Sequence, residues 1–223
     1  MNSSLFKFTP WDSIIFGMDT YEVLNLSSSV LETINQQPGH YTARIDPIAS
    51  KKILHEHLFY YCDTLIEPYC DRHHLICFED KNITIYPSNA LDKLLETCEN
   101  SFVHGRFHRD FNIPKERAEK RYAEWIKQLH ESKSVYELRY NQDTAGFIGF
   151  DNSKLVLHAL NTKYRGKGLA KYFWSSVCNA LFDQSNNELT SSVSAANLSA
   201  INLYASLGFR FRNPMDIYHR LVL

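Results

Sequence analysis

Residues 164–170 read YRGKGLA, two glycines flanking one lysine where an apolar run hands over to an amphipathic one. Glycines at such a handover serve either a tight turn or a close approach of backbone to a ligand. In the second reading, backbone amides from Arg165 to Ala170 converge at a helix N-terminus, whose partial positive charge favours phosphate. Gly166 and Gly168 then leave out the side chains that would block the approach, and Arg165 or Lys167 adds charge. The stretch is not a P-loop, because it lacks G-x-x-x-x-G-K-[ST]. Nor is it a dinucleotide fingerprint, since Gly166-Lys167-Gly168 is followed by Leu169-Ala170-Lys171.

The flanks place the stretch in an α/β order. Upstream lie three strand-like runs, SVYELRY, TAGFIGF and KLVLHAL, with hairpin-turn chemistry at residues 141–143 and 151–153. Downstream, Leu169, Phe173, Val177 and Leu181 form one helical stripe, with Asn186-Asn187 expected to end it. ELTSSVS then reads as a strand, NLSAINLYASL as a short helix closed by Gly208, and FRF and MDIYHRLVL as strands. Before the meander come the strand ITIYP, a helix through Leu91, Leu94, Leu95 and Cys98 with Ser88 or Asn89 as its cap, and the polar loop VHGRFHRDFN. PKERAEKRYAEWIKQLHES follows as a helix, with Pro114 in its first turn and Ala118, Tyr122, Trp125, Ile126 and Leu129 on one face. The order predicts a mixed α/β layer, mostly antiparallel, with one crossover. Residues 1–80 read as a small N-terminal α/β domain and 81–223 as the main domain. In the first, WDSIIFGMDTYEVLNL suggests a loop and then a strand, HYTARI a strand, and Ser50 to Cys70 a helical pattern.

Composition narrows the partners. A net charge of -1 over 223 residues argues against nucleic acid, whose phosphates demand a basic excess. No segment approaches 18 uninterrupted apolar residues and no signal-peptide core is evident, so a cytoplasmic protein without membrane insertion is expected. The five cysteines are widely spaced without a C-x-x-C pair, which reads as buried free thiols. His55 and His57, and His73 and His74, lack the spacing of three or four that helical metal ligands need, so no metal is expected.

Two motifs carry a resemblance. Arg165-x-x-Gly168-x-Ala170 fits R/Q-x-x-G-x-G/A, and Asn197-x-x-Ala200-x-x-Leu203-Tyr204-x-x-x-Gly208-Phe209 follows in order. Together they resemble the GCN5-related N-acetyltransferases, the GNAT superfamily. That resemblance implies a GNAT fold and acetyl-CoA as co-substrate, its pyrophosphate held by Arg165, Gly166, Lys167, Gly168, Leu169 and Ala170. It also implies a thioester beside the strand ending at Leu160, whose main-chain amide faces the carbonyl oxygen. Tyr204 falls where the family commonly protonates the departing sulfur, and Asn197 is a helix cap, a coenzyme ligand, or both. Acetyl transfer also needs a neutral amine. His104, His108, His158 and Glu137 are all bases by residue type, and spacing selects none of them.

A closer resemblance concerns the acceptor. Trp11-Asp12-x4-Gly17, Gly105-Arg106-Phe107 and Tyr122-x-x-Trp125-Ile126 are similar to patterns in bacterial dTDP-fucosamine acetyltransferases. Those enzymes acetylate the 4-amine of a dTDP-4-amino-4,6-dideoxyhexose for surface polysaccharide, and a homodimer is suggested by the family's habit. In VHGRFHRDF, Arg106 and Arg109 suit a diphosphate, and Phe107 and Phe111 suit stacking. Two departures are Gly105, where those enzymes usually carry Ser, and Ala170, in place of a second glycine. The competing expectations are an acetyltransferase for a peptide amine and a non-catalytic acyl-CoA sensor.

Overall fold

The structure, a computed structural model, describes residues 5–99, 101–184 and 187–223. In chain order the elements are β1 (Phe6–Phe8), α1 (Pro10–Phe16), β2 (Thr20–Val23), α2 (Ser28–Ile34), β3 (Gly39–Ile45), α3 (Lys52–Glu56), β4 (Tyr60–Asp71), β5 (Ile83–Pro87), α4 (Leu91–Cys98) and α5 (Arg106–Arg109). They continue with α6 (Lys115–Glu131), β6 (Val135–Tyr140), β7 (Asp143–Asp151), β8 (Lys154–Leu160), α7 (Ala170–Asp183), β9 (Glu188–Ser191), β10 (Val193–Ser194), α8 (Leu198–Ser206) and β11 (Arg210–Val222). The end expected for α7 at Asn186-Asn187 falls partly outside the described residues; the helix itself runs to Asp183.

The chain forms two compact units. One comprises Met1–Leu65, Val103–Arg121 and Pro214–Leu223, and the other Ile66–Phe102 and Tyr122–Asn213. A division at residue 80 therefore does not describe the packing. The last strand from Pro214 onward belongs with the first unit, where Asp216 to Val222 pair antiparallel with Ile45 to Gly39.

In the first unit, β1 runs antiparallel to β2, β2 parallel to β3, and β3 antiparallel to β11. Its core includes Tyr21, Leu31, Tyr41, Leu54 and Phe59, with a second cluster of Phe16, Phe107, Ile113 and Ala118. Two expectations fail here. WDSIIFG is the helix α1 rather than a loop: Pro10 occupies its first turn and Gly17, at φ 65°, ends it. The helix expected from Ser50 to Cys70 shrinks to α3, because Leu58 adopts φ 60° and the aromatic and β-branched run after it builds β4.

In the second unit the three-strand meander β6, β7 and β8 pairs antiparallel as expected, and β5 adds antiparallel to β6. One face carries Leu94, Ile126, Leu129, Phe147 and Leu157; the other carries Phe173, Trp174, Val177, Leu181 and Tyr204. The pair β8–β9 is parallel, and α7 is the crossover such a pair requires. YRGKGLA opens that crossover.

Candidate active site

The parallel pair is short. Lys154 lies opposite Thr190 and Leu155 opposite Ser191, after which β9 ends while β8 runs on to Leu160. The sheet is therefore split along the second half of β8. Which backbone groups face the split follows from the antiparallel ladder. Asn161 donates its N–H to the Ala145 carbonyl at 2.8 Å, and Leu160 lies opposite Gly146 and His158 opposite Ile148. Bonded and non-bonded pairs alternate, so the main-chain groups of His158 and Leu160 point away from β7, toward the split. Leu160 thus presents its N–H to the split.

The cradle adjoins this edge. Gly166 and Gly168 both adopt φ 71°, and a Cβ added to either would meet nothing within 4 Å. The glycines are needed for left-handed backbone, and the space above them is open. Among the described residues, the amides from Gly166 to Lys171 meet no acceptor, and Leu169 at the start of α7 offers no side-chain cap. Uncapped amides at the head of a fourteen-residue helix are groups of the kind that can receive an anion. Lys167 is exposed beside it. Arg165 is used differently from the simple charge expected: its Nε donates to the Leu160 carbonyl at 2.7 Å and its Nη2 to Ser101 Oγ at 2.5 Å. It ties the cradle to the end of β8.

Asn197 caps α8, its side chain accepting the Ala200 N–H at 3.1 Å. That helix carries Tyr204, which is wholly buried. The Tyr204 hydroxyl lies 2.9 Å from His158 Nε2, and burial pushes the phenol's pKa up. It therefore shows no open face from which to reach a sulfur. His158 is only partly covered. Desolvation pulls its ring down to about 4, so it is neutral at working pH.

Residues 108–217 match the family model described as an acetyltransferase (GNAT) domain. This stretch is a GNAT acetyltransferase domain. Among curated proteins it is similar to the spore coat polysaccharide biosynthesis protein SpsD of Bacillus subtilis (strain 168), 22% identical over 134 residues. That match covers 57% of this chain and 46% of the relative, so the chain spans about half the length of the curated relative it matches. Among solved structures it is similar to a GCN5-related N-acetyltransferase from Sphaerobacter thermophilus (11% identical, TM-score 0.67, 91% of this chain and 72% of that one). It is also similar to a functionally unknown conserved protein from Staphylococcus epidermidis (12% identical, TM-score 0.63, 100% of this chain and 93% of that one). Identities this low establish the fold alone.

Of the other candidate bases, Glu137 and His108 are engaged. Glu137 is buried on β6, and although burial alone raises a carboxyl, hydrogen bonds from Arg139 (2.9 Å) and Thr144 (2.6 Å) hold it below its usual range. It is a clamped carboxylate. His104 is exposed, and His108 Nε2 sits 3.0 Å from Glu119.

The loop expected to meet the acceptor lies in the first unit and contains α5. Phe107 does not offer a stacking face: it is buried between Phe16 (4.9 Å) and His219 (5.5 Å). Phe111 is 78% exposed and packs its ring 4.5 Å from Tyr60. Arg109 pairs with the buried Asp63 at 3.0 Å. Arg106 lies over the Phe107 ring at 4.7 Å and lines a cavity of about 30 Å³ with Thr20 and His40, room for a water. The N-terminal marker residues have a packing reason. Arg121 binds Asp12 at 2.8 Å and stacks on both Trp11 (4.9 Å) and Phe107 (4.8 Å). A Cβ on Gly17 would come within 2.7 Å of Arg117.

Sequence reading missed one cluster. His40 Nε2 and His219 Nδ1 approach the same Asp110 oxygen at 2.8 and 2.7 Å, and all three residues are buried. The other oxygen accepts from Tyr60 (2.9 Å) and the Asn112 N–H (2.8 Å). These are hydrogen-bond lengths, and they make Asp110 the hub on which the loop is fastened. Its three members come from distant segments, so no local spacing could reveal it.

Proposed function

We propose that this GNAT chain is an acetyl-CoA-dependent N-acetyltransferase whose acceptor is the amine of a nucleotide-linked amino sugar, of the dTDP-4-amino-4,6-dideoxyhexose class. One observation carries the acetyl-CoA half of the reading. The split beside β8 and the uncapped amides at the head of α7 are joined by Arg165, so a thioester site and a pyrophosphate site are held by one side chain. Acetyl-CoA supplies the activated acyl group. The amides from Gly166 to Lys171 bind its phosphates, and the Leu160 N–H donates to the carbonyl oxygen as negative charge develops there. Each such donor contributes to rate because it strengthens as the oxygen gains charge.

The sugar half rests on different support. The resemblance to the dTDP-fucosamine enzymes extends to Trp11-Asp12, Gly17 and Arg106-Phe107, and the SpsD relative is named for polysaccharide biosynthesis. Arg106 and Arg109 supply cations on one short helix, suited to a diphosphate once Arg109 exchanges part of its hold on Asp63. The buried Phe107 supports that helix, and the exposed Phe111 is the ring available to a base.

The test is thiol release from acetyl-CoA by the purified chain. The acceptors are dTDP-4-amino-4,6-dideoxygalactose, its glucose epimer, and a panel of peptide amines. Turnover with a sugar at least tenfold above the peptides is expected. Turnover on peptides alone would remove the sugar and leave the acetyltransferase. Coenzyme binding with no turnover on any amine would favour an acyl-CoA sensor.

A further inference from the structure

The sheet of the first unit has two unlike faces. Residues alternate along β2 and β3, so Tyr21, Val23, Tyr41 and Ala43 enter the apolar core. Thr20, Glu22, His40 and Thr42 point the other way, Thr20 in register with His40 and Glu22 with Thr42. Phe16 of α1 and Phe107 of α5 lie over that second face, the Phe107 ring 6.4 Å from that of His40. Thr20, His40 and Thr42 are all buried there. A polar row under aromatic rings costs free energy unless its groups find partners. Thr20 does, its hydroxyl donating to the Thr9 carbonyl at 2.9 Å. His40 is served on one side only. Burial raises the Asp110 carboxyl, but the hydrogen bonds it accepts outweigh that and keep it ionised. A carboxylate only accepts, so His40 Nε2 carries a proton and donates it at 2.8 Å. The neutral ring is then bare at Nδ1. Among the described residues, neither Nδ1 nor the Thr42 hydroxyl has a hydrogen-bond partner, and neither is sealed off as His219 Nε2 is. Both side chains line the cavity of about 30 Å³ that Arg106 shares. Its rim residues Thr9, Asp12, Glu22 and Arg106 are only half-buried, so it opens to solvent.

We propose that this cavity is a recognition subsite for one hydroxyl group of the acceptor sugar, which donates to His40 Nδ1 and accepts from the Thr42 hydroxyl. This rests on the nucleotide-sugar reading above and adds specificity-determining residues to it. Volume decides the size of the group. The cavity admits one hydroxyl with the sugar ring left at the rim, and excludes a phosphate or a whole ring. Hydrogen-bonding capacity decides its kind. An ammonium has no lone pair for Thr42, and it would face Arg106, whose positive charge already bears on the neighbouring His219. A hydroxyl both donates and accepts, which matches the two unpaired groups. An acceptor lacking that hydroxyl would leave His40 Nδ1 unpaired, and sites built this way reject deoxy analogues.

The test is a cycle between protein and acceptor. The probes are the better dTDP-4-amino-4,6-dideoxyhexose epimer and its 2-deoxy and 3-deoxy analogues, with thiol release from acetyl-CoA as the readout. With wild-type protein, one of the two analogues should lose at least about tenfold in kcat/KM. Glutamine at His40 keeps an N–H for Asp110 but places no acceptor where Nδ1 was. In H40Q the same deletion should therefore cost less than about twofold, with acetyl-CoA affinity unchanged. Thr42→Val exchanges the hydroxyl for a methyl group. T42V should lower kcat/KM about tenfold for the full acceptor and leave that for the deoxy analogue nearly unchanged. Its melting temperature should be equal or higher, because an unpaired buried hydroxyl has gone. A merely structural role would instead lower stability and weaken all three acceptors alike. Equal discrimination by wild type and H40Q, or none by wild type, would overturn the subsite, leave a water as the occupant and keep the sugar acetyltransferase. Turnover of peptide amines alone would remove the sugar reading, and the subsite with it.

Discussion

At the scale of single residues, the two cradle glycines separate backbone strain from ligand access. An alanine at Gly168 would keep φ 71° at a strain of about 1–2 kcal/mol, because its Cβ enters empty space and collides with nothing. The same Cβ would stand where the pyrophosphate is proposed to lie. G168A should therefore fold with a slightly lower melting temperature and lose at least about tenfold in acetyl-CoA affinity by calorimetry, equivalent to about 1.4 kcal/mol. Equal affinity would show that the loop is a turn and nothing more. Arg165 makes a complementary case. Lysine retains the charge but cannot reach the Leu160 carbonyl and Ser101 together as a planar fork does. R165K should lower kcat/KM about tenfold or more with little change in stability. If charge alone mattered, R165K would match the wild type.

At the scale of elements, the best test is α8, which presents Tyr204 from a capped start. Removing the cap with Asn197→Ala should cost about 1 kcal/mol of stability, read from denaturant midpoints, with acetyl-CoA affinity retained. The reverse pattern, stable protein with weakened binding, would make Asn197 a coenzyme ligand instead. Elements of this kind were legible in the sequence for a physical reason. Strands β6 to β8 alternate over short turns, Asn141 and Asn152 taking the positive φ that hairpins need, and α6 and α7 repeat apolar residues at helical spacing. The cradle was legible because its chemistry is backbone chemistry, and glycine spacing records backbone conformation directly. Local pattern failed where tertiary pairing decided. Residues 60–70 read as helix, yet Tyr69 and Cys70, with Asp71 after them, find partners in Thr190, Leu189 and Glu188, more than a hundred residues away. The same holds for His158, one histidine among ten in the sequence, which meets Tyr204 only when α8 folds back beside β8.

At the scale of the whole molecule, two histidines held neutral make the fold sensitive to acid. His158 is pulled down to about 4 by desolvation. His219 is pulled down to about 3, also by desolvation first, even though its bond to Asp110 opposes the shift. Unfolding releases both toward the ordinary value near 6.5, so between about pH 6 and pH 4.5 the unfolded chain binds up to two more protons than the folded one. Stability from these groups is thus fully present above pH 6.5 and falls as pH drops through that window. Each proton contributes a slope of about 1.4 kcal/mol per pH unit. Asp110 extends the loss to lower pH. Burial raises its carboxyl, but the bonds from His219 and His40 outweigh that and hold it below the usual range, so its contribution disappears only under more acidic conditions. Denaturant midpoints measured from pH 7 to pH 4.5 should fall steeply below pH 6, by about 2–3 kcal/mol per unit at pH 5. Replacing His158 with glutamine should remove about half of that slope, because the variant has lost one of the two titrating rings. A flat profile from pH 7 to pH 4.5 would mean that neither histidine is held neutral, and the interior around Tyr204 and Asp110 would then have to be more hydrated than this packing allows.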